Sequence, residues 1–229
     1  MAAERDLVLL ARAVTPLRRL ALAGGSAWDR VYTALNQLVA ALLIALLSPL
    51  LAYIAYRIWR VDGTPVTFAH GRIGGRGKVF RCFKFRSMVR NSAEVLEQVL
   101  RDDPQARAEW ARDHKLRNDP RITPIGRFLR KTSLDELPQL FNVLRGEMHF
   151  VGPRPVTLEE VRRYGWRKRH YLSVKPGLTG LWQVSGRNNT TYEERVQFDT
   201  DYVEKRNPLI DLWIVTRTVK VLLTRDGAH

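Results

Sequence analysis

Cysteine is almost absent from this 229-residue chain, with Cys82 the only one. A single thiol cannot form an intramolecular disulfide, which suits a reducing compartment and excludes a cysteine-rich zinc site. Acidic residues are scarce too: 23 against 38 lysines and arginines, a formal net charge of +15. That balance calls for an anionic partner, whether nucleic acid, acidic lipid headgroups or a phosphorylated substrate. No internal repeat, low-complexity tract or cleavable signal peptide is evident, since the apolar run starts far into the chain with no small-residue cleavage site after it. The length suits one domain of moderate size.

Charge is missing in one place above all. Val31 to Tyr56 are 26 residues without any, and their middle reads LVAALLIALLSPLLAYIAY. A nucleic-acid-binding module would account for the net charge but not for this segment. Its length and hydropathy meet the requirement for a spanning helix. Ser48 and Pro49 lie inside it, where proline removes a backbone hydrogen bond and kinks a helix. The flanks are both basic, with Arg18, Arg19 and Arg30 before and Arg57 and Arg60 after, so charge gives no clear polarity. Two readings stand level: a helix that enters the bilayer, breaks at Ser48-Pro49 and leaves on the same side, or a kinked transmembrane helix. Residues 1–27, ending near Gly24-Gly25-Ser26, read as a tail, either an amphipathic interfacial helix or disordered.

The expected fold class is α+β and mostly helical. Val66 to Phe85 has hairpin character around a Gly71 to Gly77 stretch that matches neither the Walker nor the Rossmann spacing, so its glycines are read as turn-makers. Lys84 and Arg86 follow at the strand end. Asn91 to Leu116 reads as two helices broken at Asp103-Pro104. Thr157 to Tyr171 reads as a helical region whose interleaved bases and aromatics suit a headgroup belt. Lys175 to Arg187 reads as a glycine-punctuated loop with Trp182, Gln183 and Arg187 as pocket candidates. Asp211 to Leu223 reads as an amphipathic helix with Leu212, Trp213, Thr216 and Val219 on one face.

Between Arg127 and Pro155 the chemistry concentrates: RFLRKTSLDELPQLFNVLRGEMHFVGPRP. Thr123-Pro124 reads as an N-cap and first helical residue, which puts Arg127, Arg130 and Lys131 on one face of a short helix. Ser133-Leu134-Asp135-Glu136 has the form of a capping box. Pro138 supports a different start, because proline is most comfortable at the first helical position, and the two carboxylates would then lie in the preceding turn. Leu137, Leu140, Phe141 and Leu144 read as the core face of the following helix. A basic face beside two acids is either a solvated ion-pair network or a phosphate and metal site.

Together these segments resemble a known family. Gly71-Arg72, Lys84-Phe85-Arg86-Ser87-Met88, Arg121-Ile122-Thr123, Leu129 to Leu140, Asn142-Val143-Leu144, Val151-Gly152-Pro153-Arg154-Pro155 and Pro176-Gly177-Leu178-Thr179-Gly180 look like the bacterial sugar transferases, the monotopic polyprenyl-phosphate phosphoglycosyl transferases. The likeness runs from about Val31 to the C-terminus, and the ending is especially like the galactose-transferring members. His149-Phe150 stands where many members have Ser-Leu. Large members carry further N-terminal helices and a soluble domain, so this chain reads as a minimal form or an excised catalytic domain.

The resemblance implies a division into a tail at 1–27, a re-entrant membrane helix at 28–60 hinged at Ser48 and Pro49, and a catalytic domain at 61–229 with amphipathic interfacial helices. It implies transfer of a sugar 1-phosphate from a UDP-sugar to undecaprenyl phosphate, with release of UMP, at the cytoplasmic face of the bacterial inner membrane. This would be the first membrane step of O-antigen, capsule or exopolysaccharide assembly. Galactose is the expected sugar and glucose the runner-up. Carried over by the resemblance, Asp135 is the nucleophile and Glu136 holds Mg²⁺. Lys84, Arg86, Arg130, Pro153, Arg154, Pro155, Arg187 and Asp211 bind substrate. The mechanistic rival makes both carboxylates metal ligands, with direct attack by the lipid phosphate. The expected partners are the two substrates and the bilayer, with no nucleic acid and a homodimer possible.

Overall fold

The computed structural model describes residues 27–113, 116–185 and 190–224. Arg187, residues 1–26 of the expected tail and the last residues of the chain lie outside them. The chain forms two compact units: Met1–Leu47, Ala69–Phe83 and Pro138–His229 make one, and Ser48–Phe68 and Lys84–Leu137 the other. We call these the larger and the smaller unit.

The uncharged segment becomes one helix, α1 (Ala27–Asp62), with Pro49 inside it. By length and composition it is able to cross a membrane. Leu35, Leu38, Leu42, Leu46, Tyr53 and Trp59 are exposed along it, the reverse of a soluble core helix. Each unit takes in part of α1.

The predicted hairpin forms as β1 (Thr67–Ile73) and β2 (Val79–Phe85), paired in a two-stranded sheet. A 3₁₀ turn, Gly75–Gly77, joins them, with Arg76 and Gly77 at positive φ. Its glycines therefore make the turn, as expected.

In the smaller unit, α2 (Ser92–Asp102) and α3 (Pro104–Asp113) are separate helices, broken where Asp103-Pro104 predicts. The Asp103 carboxylate accepts from the amides of Gln105 and Ala106, which starts α3. Next comes α4 (Pro124–Thr132), capped by Thr123 with Pro124 first, again as expected. The core of this unit is Ile54, Ile58, Phe85 and Leu129, with Leu134 and Leu137 packed against it.

The larger unit holds a second, unexpected sheet, one strand of which lies in the stretch expected as a glycine-punctuated loop. Here β3 (His149–Val151) pairs in parallel with β4 (Gly177–Thr179), His149 opposite Gly177 and Val151 opposite Thr179. Strands of three residues are too short for a period-2 pattern to register. Around them lie α5 (Gln139–Leu144), α6 (Leu158–Arg163), α7 (Lys168–Leu172), α8 (Leu181–Ser185), α9 (Tyr192–Lys205) and α10 (Pro208–Thr224). Two capping boxes, Thr157 with Glu160 and Thr191 with Glu194, start α6 and α9. The second was a legible signal for α9, which the sequence reading had not assigned.

Two expected faces are corrected. In α5, Leu140 is buried, but Phe141 and Leu144 are exposed, and Gln139, Asn142 and Val143 are buried with Leu140. Asn142 holds its place by bonding: it donates to the carbonyl of Arg81 and the carboxylate of Glu147 and accepts from the amide of Phe83. In the 157–171 region, Tyr164 and Tyr171 are core residues, and only Trp166 is an exposed aromatic. The expected face of α10 does not close the core: Ile210 and Ile214 do, with Trp213 packed beside them, and Leu212, Thr216 and Val219 stay exposed, as a face turned to lipid would be.

Candidate active site

The carboxylate pair lies on a 3₁₀ turn, Leu134–Glu136, between α4 and α5. Ser133 closes α4 in the left-handed conformation (φ 56°), and its amide donates to the carbonyl of Arg130. Its side chain caps nothing, so the expected capping box does not form. At positive φ its backbone is far from the extended conformation that a capping side chain usually needs. Pro138 is the N-cap of α5, and the two carboxylates precede that helix, as the alternative reading of Pro138 expected. Leu134 and Leu137 sink into the core of the smaller unit on either side of the pair. The turn is thereby pinned by apolar burial while its two acids stay together.

Lys84 joins them. Its Nζ stands 2.6 Å from Glu136 Oε1 and 3.7 Å from Asp135 Oδ2. Asp135 is 9% exposed. Burial pushes its carboxyl above the ordinary value; Lys84 and Arg130 oppose the shift, and the Glu136 charge adds to it. Arg130 is exposed and its Nε donates to Ser87 Oγ at 2.8 Å. One unit thus gathers a buried acid, a second acid and two cations around one turn, four of the residues the sequence reading singled out.

Arg86 has a different task. Its guanidinium donates to the carbonyls of Asp62, Gly63 and Pro65 and pairs with the Asp62 carboxylate at 3.2 Å. It closes the C-terminal end of α1, where carbonyls lack helical partners. A buried pair that sequence reasoning missed, Arg121 with Asp119, forms a two-pronged contact at 2.8 and 2.6 Å, with Trp110 stacked on the guanidinium. It stiffens the entry to α4.

The larger unit carries the Pro153-Arg154-Pro155 turn. Gly152 N donates to Thr179 O and Gly177 N to Pro153 O, so the turn is tied to β4 on both sides of Gly152-Pro153. A Cβ at Gly177 would stand 2.1 Å from Gly152 N, so the two backbones meet at van der Waals limits. Trp182, buried, has the guanidinium of Arg154 at 5.9 Å and that of Arg195 at 4.7 Å from its ring centre.

Asp199 lies beneath this group and was not singled out as a site residue. It is fully buried and accepts from the Tyr164 hydroxyl at 2.7 Å. Burial pushes its carboxyl up to about 7, against the pull of the Tyr164 bond and the Arg154 charge. An acid whose folded value is raised lends stability that is complete below the unfolded value of about 3.9 and is lost as pH rises through the folded one. Wild-type unfolding free energy should therefore fall between about pH 4 and pH 7 by as much as roughly 4 kcal/mol from this group. Denaturant melts of Asp199→Asn should show a flatter profile; an identical slope in both proteins would refute the assignment.

Asp211, expected at the substrate, spends both oxygens on tyrosines: Tyr32 donates to Oδ2 at 2.6 Å and Tyr202 to Oδ1 at 2.8 Å.

With this geometry in view, the comparison with known proteins is direct. The family model described as bacterial sugar transferase matches residues 28–225. The chain belongs to the bacterial sugar transferase family. Among its relatives in that family is the undecaprenyl-phosphate galactose phosphotransferase of Salmonella typhimurium, 55% identical over 188 residues, covering 82% of this chain and 39% of that protein. The UDP-galactose-lipid carrier transferase of Erwinia amylovora is 56% identical over 187 residues, with coverages of 82% and 39%. The exopolysaccharide production protein ExoY of Rhizobium meliloti is 47% identical over 192 residues, 84% of this chain and 85% of that protein. The chain thus spans about 40% of the length of the first two relatives and most of the third.

Proposed function

We propose that this chain is the catalytic part of a phosphoglycosyl transferase that moves galactose 1-phosphate from UDP-galactose to undecaprenyl phosphate. The observation that carries the reading is the Asp135–Glu136 pair on its pinned turn, with Lys84 between the two carboxylates. Family membership supports the reaction class, and the names of the two relatives at 55% and 56% identity support galactose.

In this mechanism an Asp135 oxygen attacks the phosphorus that bears the sugar. An O–P bond forms to the carboxylate, the bridging P–O bond breaks, and UMP leaves with the electron pair. An oxygen of the lipid phosphate then attacks the same phosphorus, and the carboxylate is released unchanged. Splitting the transfer lets a polar and a greasy substrate use one site in turn. Lys84 and Arg130 bind phosphate oxygens and oppose the burial that disfavours the charged Asp135 carboxylate. Arg154, backed by Trp182 and held by the Pro153 and Pro155 turn, takes the nucleotide diphosphate.

Adjacent carboxylates are hard oxygen donors of the kind Mg²⁺ takes, and such ions draw their other ligands from substrate phosphates and water. Among the described residues no cluster of three metal-binding side chains occurs, so substrate and water would have to complete the shell of such an ion. Glu136 would hold the ion, which supplies neutralisation of the diphosphate charge and of the leaving UMP.

We place α1 in the membrane as a re-entrant helix hinged at Ser48-Pro49. Proline costs a helical hydrogen bond there, and the compact units divide between Leu47 and Ser48. Arg57 and Arg60 stack on Tyr53 and Tyr56 beside exposed Trp59, a headgroup-level arrangement. The exposed stripe Leu209, Leu212, Val215, Val219 and Leu222 of α10 suits the membrane interface. The catalytic site then works at the cytoplasmic face of the bacterial inner membrane.

The test is UMP release from a panel of UDP-sugars by the purified chain in detergent with Mg²⁺. UDP-galactose should release UMP in proportion to added undecaprenyl phosphate, and labelled UMP should exchange into UDP-galactose without the lipid. Absence of release from every donor would overturn the reaction. Release without exchange would favour direct transfer.

A further inference from the structure

Within the larger unit, the first half of α1 is not merely apolar. Tyr32, Thr33 and Asn36 lie at i, i+1 and i+4 and meet β3, the strand that runs straight into Gly152-Pro153-Arg154-Pro155. In β3, His149 and Val151 pair with β4, so the Phe150 amide points to the other side. There it donates to Asn36 Oδ1 at 2.8 Å, and Asn36 is anchored in turn by its own bond to the Tyr32 carbonyl. Asn36 is 7% exposed, so the bond is made out of water, where an unpaired polar group is costly.

Two further contacts flank that bond. His149 sets its ring edge-on to Tyr32 at 4.8 Å and its Nε2 3.1 Å from Thr33 Oγ1. Lys175 Nζ donates to the same Thr33 oxygen at 3.1 Å. On the far side, the Tyr32 hydroxyl donates to Asp211, which also accepts from Tyr202. The Tyr202 oxygen lies 3.2 Å from the Val151 carbonyl. All three residues of β3 are therefore tied to α1, His149 and Phe150 directly and Val151 through Tyr202 and Asp211.

We infer that Tyr32 and Asn36 are positioning residues: through β3 they set the placement of Arg154, so that the seating of the membrane helix governs binding of the nucleotide diphosphate. This rests on the role proposed above for Arg154. It also gives Asp211 a task away from substrate, as the acceptor that joins α1 to α9.

The experiment uses the full chain in detergent, with Asn36→Ala and the milder Tyr32→Phe, which removes one oxygen and keeps the ring. Hydrogen–deuterium exchange should rise about tenfold or more at Phe150 in Asn36→Ala, with a smaller rise across 150–155 in Tyr32→Phe. Amides of α4 should be unchanged. KM for UDP-galactose should rise about tenfold in both variants while KM for undecaprenyl phosphate stays at its wild-type value. Unchanged exchange in β3 would overturn the inference. So would faster exchange with an unaltered KM for the sugar nucleotide, which would leave these residues a purely structural part. A wild-type protein that releases no UMP would count against the reaction instead, and the exchange data would still decide whether α1 holds β3.

Discussion

Asp135→Asn should lower UMP release by about 10⁴-fold or more while the protein remains folded and membrane-associated. The substitution keeps shape and removes the charge. An amide oxygen does not attack phosphorus as a carboxylate does, so the first step has no nucleophile. Folding should be spared for a reason visible in the site. Burial already disfavours the charged Asp135, so a neutral isostere relieves a cost. Lys84 also keeps its shorter partner, Glu136 at 2.6 Å, and is not left unpaired. Exchange of UMP into UDP-galactose should vanish along with turnover. Glu136→Gln gives the contrast: it should slow both reactions yet leave exchange detectable, because the nucleophile remains. If Asp135→Asn turned over within tenfold of wild type, Asp135 would not be the nucleophile. If both variants lost exchange equally, the two carboxylates would be doing the same job, as metal ligands.

The largest effect on stability should come from Gly126→Ala. A Cβ at Gly126 would stand 1.9 Å from Ser87 O and 2.6 Å from its carbonyl carbon. That oxygen already accepts from Thr123 N, and Ser87 Oγ accepts from Arg130. The first turn of α4 is therefore closed onto the backbone at Ser87, with a second tie where Met88 bridges Ile122. A backbone carbonyl cannot rotate out of the way as a side-chain end can. Relief has to come from moving α4 as a body, which strains both ties and shifts Arg130 and the turn that holds Asp135. We expect a loss of about 4 kcal/mol or more, roughly a 10 °C fall in melting temperature at this chain length. Gly71→Ala is the control, because its Cβ would meet only Val79 Cγ1 at an ordinary 3.9 Å. A melting temperature for Gly126→Ala within 2 °C of wild type would mean that α4 does not approach Ser87 this closely.

These expectations divide by where their grounds lie. The Asp135 prediction was open to a reader of the sequence: adjacent acids among bases, followed by proline, mark a candidate pair, and the family resemblance implies which of the two is the nucleophile. The Gly126 prediction was not. Nothing in Ile125-Gly126-Arg127 says that a carbonyl 39 residues earlier stands against it.

The same division holds for the rest of the chain. Local signals placed α1, the hairpin, the break at Asp103-Pro104 and the Thr123-Pro124 start of α4, since each depends on residues within a turn or two of one another. They also gathered Lys84, Arg130, Asp135 and Glu136 as candidates. Tertiary contact decided what the sequence left ambiguous or hid. It chose the turn before Pro138 over a capping box, because Leu134 and Leu137 pack against one core. It made three-residue strands of β3 and β4, whose pairing partners lie 28 residues apart in the chain. It turned Tyr164 and Tyr171 inward, gave Arg86 to the end of α1, and bound Asp211 to two tyrosines. Hydrogen-bond partners and buried faces are set by what a residue meets in space, and for polar residues outside repeating patterns the chain carries no local record of that meeting.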